Sequence, residues 1–261
     1  MRLVVVALFA LFSAPALAQP FDHPTTAGVL VLGDSNSEGP FGGDLYNSLR
    51  AMRDPVSGQQ INAYIFAKCG AGANDWVVRE YANIDCGAWR CGEGRSISDC
   101  RHFMGGDIPP LPALYGKLNS ERRVTIVVLG LNMIIGNRAH KLRDAVNLIA
   151  AIKDQNSACI WVGPPQPGDL FVAPSVYEDF VGDLKETVVE NGCRYISSDD
   201  KTDRRNLGEH TRNDHYSRDD AIAWADKVVD ELQHPRHRGD RSLTDLLKGQ
   251  DASVSAKSDG E

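Results

Sequence analysis

The sequence predicts an α/β protein, a three-layer α/β/α sandwich built around a parallel sheet of five strands. Two observations lead to this prediction. Short apolar runs that open into Gly, Ser, Asn or Pro recur along the chain, as is typical of buried strands followed by loops. Segments with apolar residues at helical spacing lie between these runs. Strands that alternate with helices form a parallel sheet covered on both faces.

The five predicted strands are residues 29–32, 61–67, 124–129, 159–162 and 194–196. Apolar residues repeat at helical spacing after the first, third, fourth and fifth strands, and the last helix is predicted over 217–232. Reactive loops of such a sheet lie beyond the carboxyl ends of its strands. The residues expected at that edge are Ser35, Gly70, Gly72, Asn132 and Pro164.

The N-terminus has the pattern of an export signal. Arg2 precedes an apolar run over residues 3–12, and Ala16-Leu17-Ala18 resembles a signal-peptidase site. The run is too short to span a bilayer, and no later run is long enough for a membrane anchor. We therefore expect residues 1–18 to be a cleaved signal peptide and the mature protein to be periplasmic or secreted.

The cysteines fit that compartment. An even set in an exported chain favours disulfides, and the absence of C-x-x-C spacing argues against zinc. Cys159 and Cys193 begin strands expected to be neighbours, so they are a candidate pair. Residues 85–112 break the alternation and are expected to form an irregular excursion over the active face, which internal crosslinks would stiffen. The cysteines are Cys69, Cys86, Cys91, Cys100, Cys159 and Cys193.

Charge and polarity limit the classes of partner and indicate where the domain ends. A formal net charge of -7 disfavours a nucleic-acid partner, because such a surface repels phosphate backbones. Beyond residue 233 the chain becomes polar and rich in charge. We expect one catalytic domain over residues 19–233 and a disordered polar tail over 234–261. The oligomeric state is left open.

A candidate nucleophile follows the first strand, in Gly33-Asp34-Ser35. A serine hydroxyl is a poor nucleophile unless a base takes its proton. His210 and His215 both precede the final predicted helix, whose apolar stripe would hold the preceding loop against the sheet edge. His215 lies nearer to the helix and is the better candidate for the base.

Four sequence blocks, taken in order, resemble the SGNH subgroup of the GDSL esterase and lipase superfamily. The resemblance extends from Val29 to Leu232 and implies a flavodoxin-like SGNH hydrolase fold. The blocks are Gly33-Asp34-Ser35-Asn36-Ser37-Glu38-Gly39, Cys69-Gly70-Ala71-Gly72-Ala73, Gly130-Leu131-Asn132 and Asp214-His215-Tyr216-Ser217.

The resemblance implies a role for each block. Ser35 would be the nucleophile, His215 its base, and the N–H groups of Ser35 and Gly72 with the Asn132 amide would form the oxyanion hole. Gly70 fits the second donor position almost as well as Gly72. Such donors stabilise the negative charge that develops on the carbonyl oxygen, by about 3 kcal/mol for one donor. No metal or organic cofactor is implied.

One position departs from the family pattern. The acid that orients the histidine usually stands three residues before it, where this chain has Arg212. A guanidinium cannot accept the imidazole N–H. Asp214 is the leading substitute, Asp203 and Glu209 are others, and a backbone carbonyl in a Ser-His dyad is an alternative.

These residues predict a secreted serine esterase that hydrolyses carboxylic esters through an acyl-enzyme. O-acetyl groups of a polysaccharide are the first expected substrate, by analogy with the family. A lysophospholipase or thioesterase is the alternative within enzymes and would need an apolar acyl groove. The alternative outside enzymes is a non-catalytic glycan-binding protein, which Arg212 favours and the retained catalytic residues disfavour.

Overall fold

The computed structural model describes residues 26–78, 87–92, 100–103, 108–168, 171–202 and 215–249. The strands in these ranges are β1 (Ala27–Gly33), β2 (Asn62–Lys68), β3 (Ala88–Cys91), β4 (Arg101–Phe103), β5 (Arg122–Val128), β6 (Ser157–Val162) and β7 (Arg194–Ile196). They form one sheet in the spatial order β4-β3-β2-β1-β5-β6-β7. Neighbouring strands from β2 to β7 in that order run parallel.

The expectation of five strands is wrong for the whole sheet, which has seven strands in the described residues. The five parallel strands lie where the sequence placed them. β3 and β4, inside the expected irregular excursion, extend the sheet by antiparallel pairing. These strands are only four and three residues long, so their sequence carries little periodicity of its own. Pairing decides their conformation, because β3 adds to the edge of β2 and β4 adds to the edge of β3.

Helices cover both faces of the sheet. The alternation of side chains along β1 separates the two cores, because Leu30 and Leu32 pack on one face while Val29 and Val31 pack on the other. The helices are α1 (Pro40–Ala51), α2 (Asp75–Val78), α3 (Leu111–Leu118), α4 (Leu131–Ile134), α5 (Arg138–Asp154), α6 (Pro174–Glu190), α7 (Arg218–Gln233) and α8 (Leu243–Leu247). The first core includes residues of α3, α5 and α6, and the second includes residues of α1, α7 and α8.

Two disulfides lie within the described residues. Cys159 and Cys193 join β6 to the start of β7, as the strand order predicted. Cys91 and Cys100 join the end of β3 to the start of β4, inside the excursion. Cys69 is disulfide-bonded as well. The expectation of disulfides is therefore confirmed for these cysteines.

The expected polar tail from residue 234 is wrong for residues 234–249. This stretch carries α8, whose Leu243 and Leu247 are buried in the same core as α1 and α7. Ser242 caps this helix by accepting from the Asp245 N–H at 3.1 Å. The three leucines of α8 form too short an apolar pattern to be recognised among the charged residues around them. The described helices are all too short or too polar to cross a bilayer.

Candidate active site

The loop after β1 turns back sharply to place Ser35 at the carboxyl edge of the sheet. Ser35 begins a short 3-10 helix over Ser35–Ser37, which Asp34 caps by accepting from the Asn36 N–H at 2.9 Å. Ser37 is fully buried and its hydroxyl donates to the Val128 carbonyl at 3.4 Å. A Cβ at Gly33 would lie 2.3 Å from the Ser37 side chain, so the turn requires glycine there.

The loop after β2 holds the two candidate oxyanion glycines in different environments. Gly70 is exposed and has a φ of 74°, which fits a glycine needed for the turn itself. Gly72 is buried, and its N–H donates to Asp75 Oδ2 at 2.7 Å. Burial raises the pKa of Asp75, and the hydrogen bond from Gly72 opposes that shift. An oxyanion that used the Gly72 N–H would have to compete with this carboxylate.

Asn132 connects the serine loop with the glycine loop. It lies in α4, directly after β5, and its amide nitrogen donates to Asp34 Oδ2 at 3.3 Å and to the Ala71 carbonyl at 3.2 Å. Asp34 and Ala71 are the chain neighbours of Ser35 and Gly72. The amide therefore lies between the first and second sequence blocks, and the residue that it contacts in the second block, Ala71, adjoins both Gly70 and Gly72.

His215 and Ser35 line one cavity of about 100 Å³, together with Trp224 of α7 and Pro40 of α1. The packing of α1 on α7 brings them together, because the Phe41 and Trp224 rings stack at 3.9 Å between centroids. Ser217 caps the start of α7 by accepting from the Asp220 N–H at 3.3 Å, which fixes the point where the loop of His215 enters the helix.

The residue after His215 is anchored to the sheet edge. Tyr216 donates its hydroxyl proton to the Gln166 carbonyl at 2.6 Å, in the loop after β6. The N–H of Gln166 donates to Thr202 Oγ1 at 3.1 Å, beyond the end of β7. The loops after β6 and β7 thus hold the backbone next to His215. No sequence pattern indicated the contact of Tyr216 with Gln166, since the two residues are 50 positions apart along the chain.

Glu38 is a further ionisable residue of the cavity that sequence reasoning left without a role. Its position in the first block was the only signal for it. Burial raises the pKa of Glu38 to about 7, against a smaller opposing effect of its hydrogen bond with the Cys69 backbone. His102 of β4 lies 3.8 Å away from its carboxylate, which places the excursion beside the cavity.

The candidates for the histidine-orienting acid, Asp214, Asp203 and Glu209, lie outside the described residues, as does Arg212. The choice between an acid and a Ser-His dyad therefore stays a prediction. Among the described residues, no group of three His, Cys, Asp or Glu side chains is placed to hold a metal ion.

Comparison with known proteins identifies the architecture. No family model and no curated protein matches the sequence, whereas solved structures match most of it. A catalytic mutant of an acetylxylan esterase from Geobacillus stearothermophilus matches with a TM-score of 0.51 and 10% identity, over 78% of this chain and 93% of the other. An esterase from Pseudoalteromonas sp. matches with a TM-score of 0.50 and 12% identity, over 78% and 96%. A candidate SGNH hydrolase from Slackia heliotrinireducens has a TM-score of 0.49 and 11% identity, over 78% and 98%.

The chain has an SGNH/GDSL-type fold. In this SGNH-type fold Ser35, Gly72 and Asn132 all follow carboxyl ends of parallel strands, and His215 precedes the last long helix. The cavity links Ser35 with His215, and the Asn132 hydrogen bonds link the serine and glycine loops. Gly70 is exposed in the same glycine loop.

Proposed function

We propose that this protein is a serine esterase that hydrolyses carboxylic esters through an acyl-enzyme. The observation that carries the proposal is the shared cavity of Ser35 and His215. Ser35 Oγ attacks the ester carbonyl while His215 takes its proton, and His215 then returns that proton to the departing alcohol. Water attacks the acyl-enzyme with the same base, which releases the carboxylic acid and restores Ser35.

The charge on the tetrahedral intermediate would be stabilised by the Ser35 N–H, the Gly72 N–H and the Asn132 amide. Asn132 supports this role through its position between the loops of Ser35 and Gly72. In the free protein the Gly72 N–H donates to Asp75, and the Asn132 amide donates to Asp34 and to the Ala71 carbonyl. These donors would exchange their protein acceptors for the negatively charged oxygen as the tetrahedral intermediate forms.

The size of the cavity favours a small acyl group. About 100 Å³ is well below the roughly 300–1,000 Å³ of pockets that enclose drug-sized ligands. An acetyl ester fits this volume better than a fatty-acyl chain does. The acetylxylan esterase among the structural neighbours agrees with an O-acetylated polysaccharide as the substrate. The disulfides and the signal-like N-terminus support action outside the cytoplasm.

The test uses the mature wild-type protein and its Ser35→Ala and Ser48→Ala variants. Each is assayed with p-nitrophenyl acetate, p-nitrophenyl decanoate and acetylated xylan, and each is treated with a fluorophosphonate probe. Ser35→Ala should lower kcat by at least about 10³-fold and abolish labelling. Ser48 lies in α1 and does not line the cavity, so its variant should keep the wild-type rate and labelling.

Equal rates for wild type and Ser35→Ala would exclude the serine mechanism. A preference for the decanoate would favour a lipolytic enzyme or thioesterase over a deacetylase. A wild-type protein that is neither labelled nor active, yet binds xylan, would be the non-catalytic glycan-binding protein.

A further inference from the structure

Two further cavities lie at the amino edge of the sheet, opposite the edge that carries Ser35. They measure about 450 Å³ and 380 Å³ and adjoin, since both are lined by Lys153, Ser157, Ala158 and Leu246. Ser157 begins β6, whereas Ser35 follows the end of β1. A seven-residue strand spans about 20 Å, so this trough is separate from the proposed catalytic cavity. We call the two adjoining cavities the amino-edge trough.

The amino-edge trough is basic although the protein is acidic. Its ionisable lining consists of five cations and two carboxylates, in a chain whose formal net charge is -7. The cations are Arg122, Arg123, Lys153, Arg194 and Arg241, and the carboxylates are Glu121 and Asp240.

Two of the cations are neutralised by carboxylates. Arg122 pairs with Asp54 at 2.6 Å. Burial raises the pKa of Asp54, but hydrogen bonds from Arg122, Ser57 and two backbone N–H groups outweigh it and hold that pKa well below its usual range. Arg194 lies 3.6 Å from Asp240. These pairs stabilise the walls of the trough and leave little charge there for a ligand.

The other three cations have no carboxylate within ion-pair distance among the described residues. Backbone carbonyls hold them instead. Arg123 donates to the Gln155 carbonyl at 3.3 Å, Lys153 donates to the Asn191 carbonyl, and Arg241 donates to the Asp245 carbonyl at 2.6 Å. A carbonyl orients a cation without cancelling its charge. Lys153 and Arg241 are exposed, so their charges face the solvent of the trough.

We propose that the amino-edge trough binds an acidic polysaccharide through Arg123, Lys153 and Arg241, which pair with carboxylates spaced along the polymer. The inference extends the proposed function, because a second contact about 20 Å from Ser35 would keep a polymeric substrate on the enzyme. The trough is open and runs through two connected cavities, which suits a chain more than a single small anion. The net charge of -7 disfavours a nucleic acid, whose charge density is far higher.

The test measures binding of the full chain to polygalacturonate by affinity electrophoresis and calorimetry, at low and high salt. The informative variant is Lys153→Gln/Arg241→Gln, which removes two exposed charges and keeps long polar side chains. It should bind polygalacturonate roughly tenfold more weakly at low salt, as expected for the loss of two surface ion pairs. High salt should weaken wild-type binding towards that of the variant.

The matched control is Arg143→Gln/Lys185→Gln, which removes the same charge from exposed positions in α5 and α6 that do not line the trough. It should bind as wild type does, and thermal melting should show that both double variants are folded. The proposal would be overturned by equal losses of affinity in the two double variants, or by binding of neutral dextran as strong as that of polygalacturonate. It would also be overturned by stronger binding of duplex DNA, or by displacement of polygalacturonate with inorganic phosphate at low concentration.

The polysaccharide-binding proposal and the esterase proposal can fail independently, and the experiments distinguish the two failures. Ser35→Ala should keep wild-type affinity for polygalacturonate even if it loses all hydrolysis. If the wild-type protein proves inactive on every ester while binding still depends on Lys153 and Arg241, the trough stands and the esterase proposal fails.

Discussion

Replacing Asn132 with alanine tests the proposed oxyanion hole most directly. The change removes an amide that donates to Asp34 Oδ2 at 3.3 Å and to the Ala71 carbonyl at 3.2 Å. It also removes the only side-chain donor assigned to the tetrahedral intermediate. Ser35 and His215 remain, so the attack itself is still possible.

The expected effect has two parts of different size. Loss of one oxyanion donor lowers kcat by about 10²–10³-fold, equivalent to about 2.7–4 kcal/mol of transition-state stabilisation. Asp34 is only 2% exposed and loses one of its donors, so the free energy of unfolding should fall by about 1–3 kcal/mol. The kinetic effect should therefore exceed anything that partial unfolding causes at a temperature where the variant is folded.

The measurement is kcat and KM for p-nitrophenyl acetate together with urea denaturation. The control is Asn137→Ala, because Asn137 caps α5 by accepting from the His140 N–H at 3.1 Å. Loss of this cap should cost about 1 kcal/mol of stability and leave kcat unchanged. If Asn132→Ala keeps kcat within about threefold of Asn137→Ala, a margin far below the loss of an oxyanion donor, Asn132 is not an oxyanion donor.

Three further changes have outcomes that the structure determines. Burial raises the pKa of Glu38 from 4.5 to about 7. Between these pH values the folded state keeps a proton that the unfolded state releases, so the free energy of unfolding falls as the pH rises. Glu38→Gln should accordingly raise the melting temperature, relative to wild type, more at pH 8 than at pH 4. Lys201 and Glu231 form a buried ion pair at 2.7 Å. Lys201→Met should lower the free energy of unfolding, measured by urea denaturation, by about 3–5 kcal/mol, and adding Glu231→Met should restore part of that loss. Gly33→Ala should destabilise the protein by about 1–3 kcal/mol through its steric clash, whereas Gly43→Ala, inside α1 with open space around it, should stabilise by about 0.5–1 kcal/mol.

Each of these outcomes can fail. A constant difference in melting temperature across the pH range would show that Glu38 ionises normally in the folded protein. Additive losses in the Lys201 and Glu231 variants would show that the pair contributes no coupling. A Gly33→Ala variant as stable as wild type would mean that the turn before Ser35 has room for a side chain.

Apolar periodicity was sufficient to predict the parallel sheet. β1 is apolar along its length and β5 is mostly apolar from Val124 onward, because helices cover both faces of the sheet. Such runs are recognisable in a single sequence. β3 and β4 were not predicted because tertiary pairing stabilises them, of β3 with β2 and of β4 with β3. The same limit applies to α8, because its leucines are recognisable as core residues only when the core that buries them is known.

Part of the candidate site could be predicted from the sequence for a similar reason. Ser35, Gly72 and Asn132 were found because each follows a strand, and the ends of parallel strands meet at one edge. The sequence could not predict which of Gly70 and Gly72 supplies the second oxyanion donor, since both lie in the same short loop. Burial separates the two glycines, because Gly72 is buried and Gly70 is exposed.

The sequence by itself determined the alternation of strands and helices, the order of the four blocks and the acidic balance of the chain, because each is a property of local pattern or composition. Only the tertiary structure decided that Glu38 and His215 line one cavity, that Tyr216 is held by the loop after β6, and that basic residues gather at the opposite sheet edge. These features join residues that are distant along the chain. Their proximity depends on strand order and helix packing, which no local pattern encodes.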